Sequence, residues 1–182
     1  MTTRRIRQSA TVGIVLVVLA GTAPRPEAHS RKRFRADLQT TSRLVASPSR
    51  RCHDEPGNAP VVGLLEVLGA GDATFLGPVI DEQSHCIRED GTFFDGRFAL
   101  TNSDGRVIRG RYFGHLEPTF NSTFAPGPGG SWLVKGEICI SGGNFDDIDN
   151  DCSSGRYEPA RGITNLSTGD ATIFIDQTIG ID

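Results

Sequence analysis

Asp147, Asp149 and Asp151 stand at alternate positions, and Glu158 follows eleven residues after Asp147. Carboxylates at that spacing are the ligand pattern of an EF-hand calcium loop. The sixth position of such a loop turns sharply and wants glycine; here it is Cys152, and no helical pattern flanks either end. A solvated acidic loop explains the same residues with fewer demands. The histidines are His29, His53, His85 and His115, and two of them adjoin a cysteine, His53 beside Cys52 and His85 beside Cys86. A Cys/His metal site across those segments competes with a disulfide whose neighbours are simply exposed, and in an exported chain the disulfide is the plainer reading. Cys52, Cys86, Cys139 and Cys152 are too widely spaced for a zinc ribbon or a thioredoxin-type pair. No serine lies in a G-x-S-x-G elbow, and no phosphate-binding loop or dinucleotide fingerprint is present. No cofactor is implied, and the acidic set above is the one weak metal candidate.

The elements that must position these groups begin after a long lead-in. Of the 182 residues, the first 20 read as a signal peptide: Arg4, Arg5 and Arg7, an apolar run from Ala10 to Ala20, and small residues before a cut after Ala20. The run is short for a bilayer span, so a membrane anchor is the lesser reading. The Arg4–Arg5 pair leaves the export route open between general and twin-arginine secretion. Residues 21–58 read as a flexible basic linker, rich in Arg, Pro, Ser and Thr and without a sustained hydrophobic period. A short helix over Asp37 to Ala46 is its one local option. Residues 59–182 are the folded domain.

Charge divides the same way. Residues 21–51 hold 8 Lys and Arg against 2 Asp and Glu, whereas residues 52–182 hold 8 against 20. An acidic domain repels nucleic acid at long range, which excludes that class of partner. The basic run Arg31, Lys32, Arg33 and Arg35 reads as a solvated tail.

Within the domain, strand patterns recur between glycine-rich turns. Val61 to Leu68 is expected as a strand, Gly69 to Gly71 as a turn, and Asp72 to Ile80 as the next strand. Asp81 to Cys86 reads as a polar excursion. Thr92 to Asn102 alternates, with Phe94, Gly96, Phe98 and Leu100 on one face and Asp95, Arg97 and Thr101 on the other. Asn102 to Gly105 is a turn. Arg106 to Gly114 returns, with Ile108 and Tyr112 opposite Val107, Arg109 and Arg111. Pro118 to Gly130 is a loop. Trp132 to Ile140 is a strand with Trp132, Val134, Gly136, Ile138 and Ile140 on one face. Ser141 to Asp151 is an acidic loop, a hairpin follows, and Asp170 to Ile181 is the last strand. This is an all-β chain, either a barrel or a sandwich, and glycines inside strands favour a closed barrel.

The stretch Cys152 to Gly162, CSSGRYEPARG, carries a resemblance. Ser153, Ser154, Gly155, Arg156 and Tyr157, with Ala160 and Gly162, resemble the G-G-T-G-R-F-x-x-A-x-G signature of secreted β-barrels related to dirigent proteins and allene oxide cyclase; the first family glycine is missing. Ala73, Thr74, Phe75, Leu76 and Gly77 resemble the family's A-T-H-L-G, with Phe75 at the histidine position, so any chemistry on that histidine is absent. Gly110, Tyr112 and Gly114 match G-x-Y-x-G. The resemblance covers roughly Gly63 to Gly180. It implies a single calycin-like antiparallel barrel of about eight strands. It also brings the plant relatives' trimers into view, although no exposed apolar stripe is legible, and a homo-oligomer stays open.

Four cysteines allow three pairings. A barrel hairpin brings Cys139 to Cys152, which leaves Cys52 with Cys86. The expected function is that of a secreted module, extracellular or periplasmic, without a transmembrane segment in its mature form. It binds a small apolar ligand or a protein partner, or serves a structural role, without catalysis. The alternative implied by the resemblance is an isomerase, cyclase or coupling guide acting in the barrel pocket. Inward-pointing polar groups would discriminate the two, and Asp95, Arg97, Arg109, Arg111 and Arg156 all sit more naturally on the solvent face.

Overall fold

The computed structural model describes residues 30–45, 51–118, 131–144 and 148–181. Eight antiparallel strands close into a barrel: β1 (Ser30–Val45), β2 (Val61–Ala73), β3 (Gly77–Arg88), β4 (Thr92–Asn102), β5 (Val107–Pro118), β6 (Ser131–Gly143), β7 (Glu158–Asn165) and β8 (Asp170–Ile181). Each strand pairs with its chain neighbour, and β1 pairs with β8 to close the ring. Closure leaves no unpaired sheet edge. Among the described residues no helix is long and apolar enough to cross a membrane.

The largest departure from expectation is β1, which lies inside the stretch read as a flexible linker and overlaps the helix considered there. Its alternation has period two: Phe34, Ala36, Leu38 and Thr40 are buried, while the residues between them are exposed. The outward residues supply the basic composition that suggested a tail. They meet acidic neighbours on the adjoining strands, Arg33 with Asp176 and Arg43 with Glu66 (2.6 Å). The basic run is therefore one outer face of the barrel, and the domain begins at Ser30 or earlier rather than at residue 59.

The expected turn at Gly69 to Gly71 is also strand. Both glycines lie in β2 opposite β1, where an added Cβ would run into the carbonyl oxygens of Gln39 and Asp37. Close approach of two backbones, not a bend, requires glycine there. The turn comes at Thr74 to Leu76, with Phe75 at φ 71° and Gly77 at φ 72°. The expected boundaries of β4 and β8 match, and Asn102 builds the β4–β5 turn as expected, its Oδ1 accepting from the N–H groups of Asp104 and Arg106.

Both disulfides form as expected. Cys139 and Cys152 bond at a Cα separation of 5.1 Å, and Cys52 and Cys86 at 5.5 Å. Cys152 does not open β7, which starts at Glu158; it sits in the preceding turn and docks on β6 by donating its N–H to the Ile140 carbonyl (3.1 Å). Such bonds mark an oxidising compartment. The outer face also carries apolar side chains that the sequence did not show as a set, with Leu68, Ile80, Ile163 and Phe174 about half or more exposed.

Candidate functional site

The barrel interior has two halves. Towards the β2–β3 and β4–β5 turns it is solid, packed with Phe34, Leu38, Leu76, Val79, Leu100, Ile108, Ile140 and Ile179. Towards the opposite connections it holds a cavity of about 110 Å³. Leu65 and Val67 of β2, Phe93 and Phe98 of β4, Leu116 of β5, Val134 and Ile138 of β6, and Ile173 and Ile175 of β8 form apolar walls. Glycines make the room. Gly96 lies against the Tyr112 ring, Gly110 against the Phe98 ring, and Gly114 and Gly136 against the Phe93 ring, so that a Cβ at Gly96, Gly110 or Gly114 would collide with its ring. The G-x-Y-x-G stretch of β5 thus backs two aromatic rings, Phe98 and Phe93, and supplies the third, Tyr112.

Polar groups enter the cavity mainly from β3. Its inward positions are Val79, Asp81, Gln83, His85 and Ile87, alternating with outward residues. This is the segment read as a polar excursion. The reading failed because apolar alternation is what marks a strand, and here the inward face is itself polar. The clue that remained was parity: Val79 and Ile87 bracket Asp81, Gln83 and His85 at even spacing. His85 Nδ1 lies 2.8 Å from the Tyr112 hydroxyl. Burial, with the Arg51 charge adding to it, holds His85 down at about 4, so the imidazole is neutral. Burial, and next the Asp81 charge, raises the Tyr112 phenol above its usual range. The pair is therefore two neutral partners sharing one hydrogen. Thr40, Ser42 and Thr164 add neutral polar groups, and Glu137 and Arg161, both exposed, also border the cavity.

Asp81 lies one inward position below Gln83, toward the solid half, and is fully buried. Gln83 Nε2 donates to Asp81 Oδ2 at 2.5 Å, while Asp81 Oδ1 has no hydrogen-bond partner. Burial pushes the carboxyl up to about 7 against the opposing effect of the Gln83 bond, and Glu82 pushes in the same direction as burial.

The groups expected to discriminate binding from catalysis are not the ones found. Asp95, Arg97, Arg109, Arg111 and Arg156 are all exposed, as expected. The face assignment of β4 needs one correction. A bulge between Phe93 and Gly96, with Asp95 at φ 47°, turns Phe93 inward in place of Phe94. Phe94 instead carries the Arg88 guanidinium, 3.9 Å from its ring centroid. Outside the cavity wall, the segment after β1 is pinned to β3 by Cys52–Cys86, by Arg51 donating to the Ser84 hydroxyl (2.7 Å) and by Glu55 with Arg88 (3.0 Å), and to β4 by Arg51 pairing with Asp95.

The residues of the resemblance separate in space. Ala160 lines the cavity, and Gly162 packs against Thr172 and Ile173. Gly155 turns at φ 69°, Arg156 pairs with Asp151 (3.0 Å), and Tyr157 packs on Phe113 (5.2 Å between centroids), all beyond the solid end or outside it. Thr74 ties the β2–β3 turn to β1 through its Oγ1 and the Arg35 N–H (3.0 Å), and Leu76 is core.

The calcium candidates do not assemble. Asp147 lies outside the described residues. Asp151 Oδ1 takes Arg156, and Glu158 Oε2 accepts from the Thr178 N–H (2.9 Å). Among the described residues no cluster of three His, Cys, Asp or Glu side chains could hold a metal ion. The Cys52–Cys86 bond also removes the Cys/His alternative, with His85 inside the barrel and His53 exposed outside it. No family model matches the chain, and no curated protein or solved structure matches it significantly.

Proposed function

We propose that this chain is an exported binding barrel of the allene oxide cyclase and dirigent-like type, which holds a small, largely apolar ligand in the open half of its interior. The observation that carries this reading is the cavity itself, whose apolar walls are interrupted on one side by Gln83, His85 and Tyr112. Small-molecule sites combine such walls with a few placed polar groups that fix orientation. At about 110 Å³ the space approaches that of engineered dry cavities of about 150 Å³ that take benzene. Export is supported by the N-terminal pattern and by the two disulfides.

A second reading is an isomerase or cyclase in the same cavity. One observation favours it: two titratable groups on one strand face, Asp81 and His85, have ranges displaced to about 7 and about 4. Groups moved apart in this way are the raw material of acid–base chemistry. Binding ranks first because it needs no substrate geometry.

Benzyl alcohol, an aromatic body with one polar group, tests the reading by calorimetric titration. Saturable one-to-one binding is expected, and it should vanish in Ala171→Phe, which fills the cavity from β8. The absence of saturable binding, or equal binding by a folded Ala171→Phe protein, would overturn it.

A further inference from the structure

The interior contains a carboxyl with nothing to balance it. Asp81 is fully buried, makes one hydrogen bond, to Gln83, and leaves Oδ1 without a partner. Among the described residues it makes no ion pair. An unpaired carboxylate in a low-dielectric interior is costly, and such groups are ordinarily paired or kept protonated. Gln83 links this charge to the cavity. Its amide nitrogen is committed to Asp81, so its Oε1 is left as an acceptor on a residue that lines the cavity. Beside it stands a cluster of rings: His85 and Phe93 lie 5.3 Å apart between centroids, Phe93 and Tyr112 6.0 Å, and Phe98 and Tyr112 6.5 Å. Ring faces attract cations, most strongly when water is excluded.

We propose that the ligand is a small organic cation, a primary ammonium on an apolar or aromatic body, whose N–H groups reach Gln83 Oε1 and whose charge is met by Asp81 and the rings of Phe93, Phe98 and Tyr112. This rests on the reading of the cavity as a ligand site and names the ligand's chemical class. Neutral His85 adds no opposing charge. The titratable groups facing the interior are Asp81 and His85 from β3 and Tyr112 from β5; the exposed residues Glu137 of β6 and Arg161 of β7, one of each sign, also border the cavity, while β1, β7 and β8 contribute neutral Thr40, Ser42, Thr164 and Gln177, and β2 and β4 contribute apolar side chains. From outside, Glu82 acts on Asp81, and Arg51 acts on His85 and Tyr112. Binding at neutral pH then expels a proton: Asp81 ionises as the ammonium arrives, and the proton passes to buffer.

The test compares benzylamine with benzyl alcohol, which share their body and differ in charge. At pH 8, benzylamine should bind at least tenfold more tightly. Asp81→Asn should abolish that preference while leaving benzyl alcohol affinity within about twofold. This variant keeps the shape and removes a buried charge, so it is expected to fold. At pH 7, calorimetry in two buffers of different ionisation enthalpy should show net proton release on benzylamine binding and none on benzyl alcohol binding, since burial raises the carboxyl to about 7. Benzyl alcohol binding as tightly as benzylamine, or a preference that survives Asp81→Asn, would overturn the ammonium assignment and leave the ligand site standing. Failure of both probes to bind would remove the ligand site itself, and the ammonium with it.

Discussion

Asp81 and His85 share one strand face, and burial moves them in opposite directions on the pH scale. Asp81 rises from 3.8 to about 7, so the folded protein keeps a proton that the unfolded chain sheds from about pH 4 upward. Its contribution to stability is greatest below about pH 4 and falls as pH climbs toward 7. His85 falls from 6.5 to about 4, so the unfolded chain takes up a proton that the folded protein refuses. Its contribution is full above about pH 6.5 and is lost as pH falls toward 4. The two slopes oppose each other over one window and largely cancel in the native protein. Single substitutions should unmask them. Asp81→Asn should leave a protein whose denaturation midpoint drops from pH 6.5 to 4, and His85→Gln one whose midpoint drops from pH 4 to 7. The Asp81 slope corresponds to a few kcal/mol, at about 1.36 kcal/mol per pKa unit. Urea melts at half-unit pH steps measure both, and parallel profiles for the two variants would contradict the assignment.

At the scale of elements, the stretch from Gly143 through the β7 start is long and acidic, and Cys152 anchors it to β6. Cys152 both bonds Cys139 and donates to the Ile140 carbonyl. Arg156 returns to Asp151, and Glu158 caps the Thr178 N–H, so charges that repel along the chain are taken up by specific partners. The cysteines stand 13 residues apart. Removing a bridge across a loop of this size should cost about 2–4 kcal/mol. Cys139→Ser and Cys152→Ser should each lose that amount in chemical denaturation, and the double variant no more than either alone, because one bond accounts for both. Additive losses would mean that each sulfur contributes by packing instead.

For the whole molecule the decisive element is β1, which joins β2 on one side and β8 on the other. Without it the barrel opens and two strands are left with bare edges. Limited trypsin digestion of the native protein reads this directly. Arg31, Lys32, Arg33, Arg35 and Arg43 offer five cleavage points, all on exposed positions of a fully paired strand. Cleavage within residues 31–43 should occur only at temperatures where the barrel itself unfolds. A chain starting at residue 46 should express as an aggregating, unfolded product. Rapid release of the 31–43 region from an otherwise resistant core would show that β1 is peripheral.

Local pattern alone determined the all-β class, the strands over 92–102 and 170–181, the Asn102 turn and the cysteine hairpin. Each rests on alternation or turn chemistry that acts over a few residues, and such chemistry is written in the chain. The inward placement of Tyr112 and the outward placement of the arginines of β5 were legible for the same reason. Tertiary structure alone decided β1 and the cavity's polar face. A strand whose outer residues are mostly basic resembles a tail until acidic strands arrive beside it. An inward face of Asp81, Gln83 and His85 resembles a loop until seven other strands enclose it. Polar side chains facing inward carry no hydrophobic period, and their burial is set by closure of the barrel. Closure depends on the β1–β8 pairing, which joins residues about 130–150 positions apart through register that no short stretch contains.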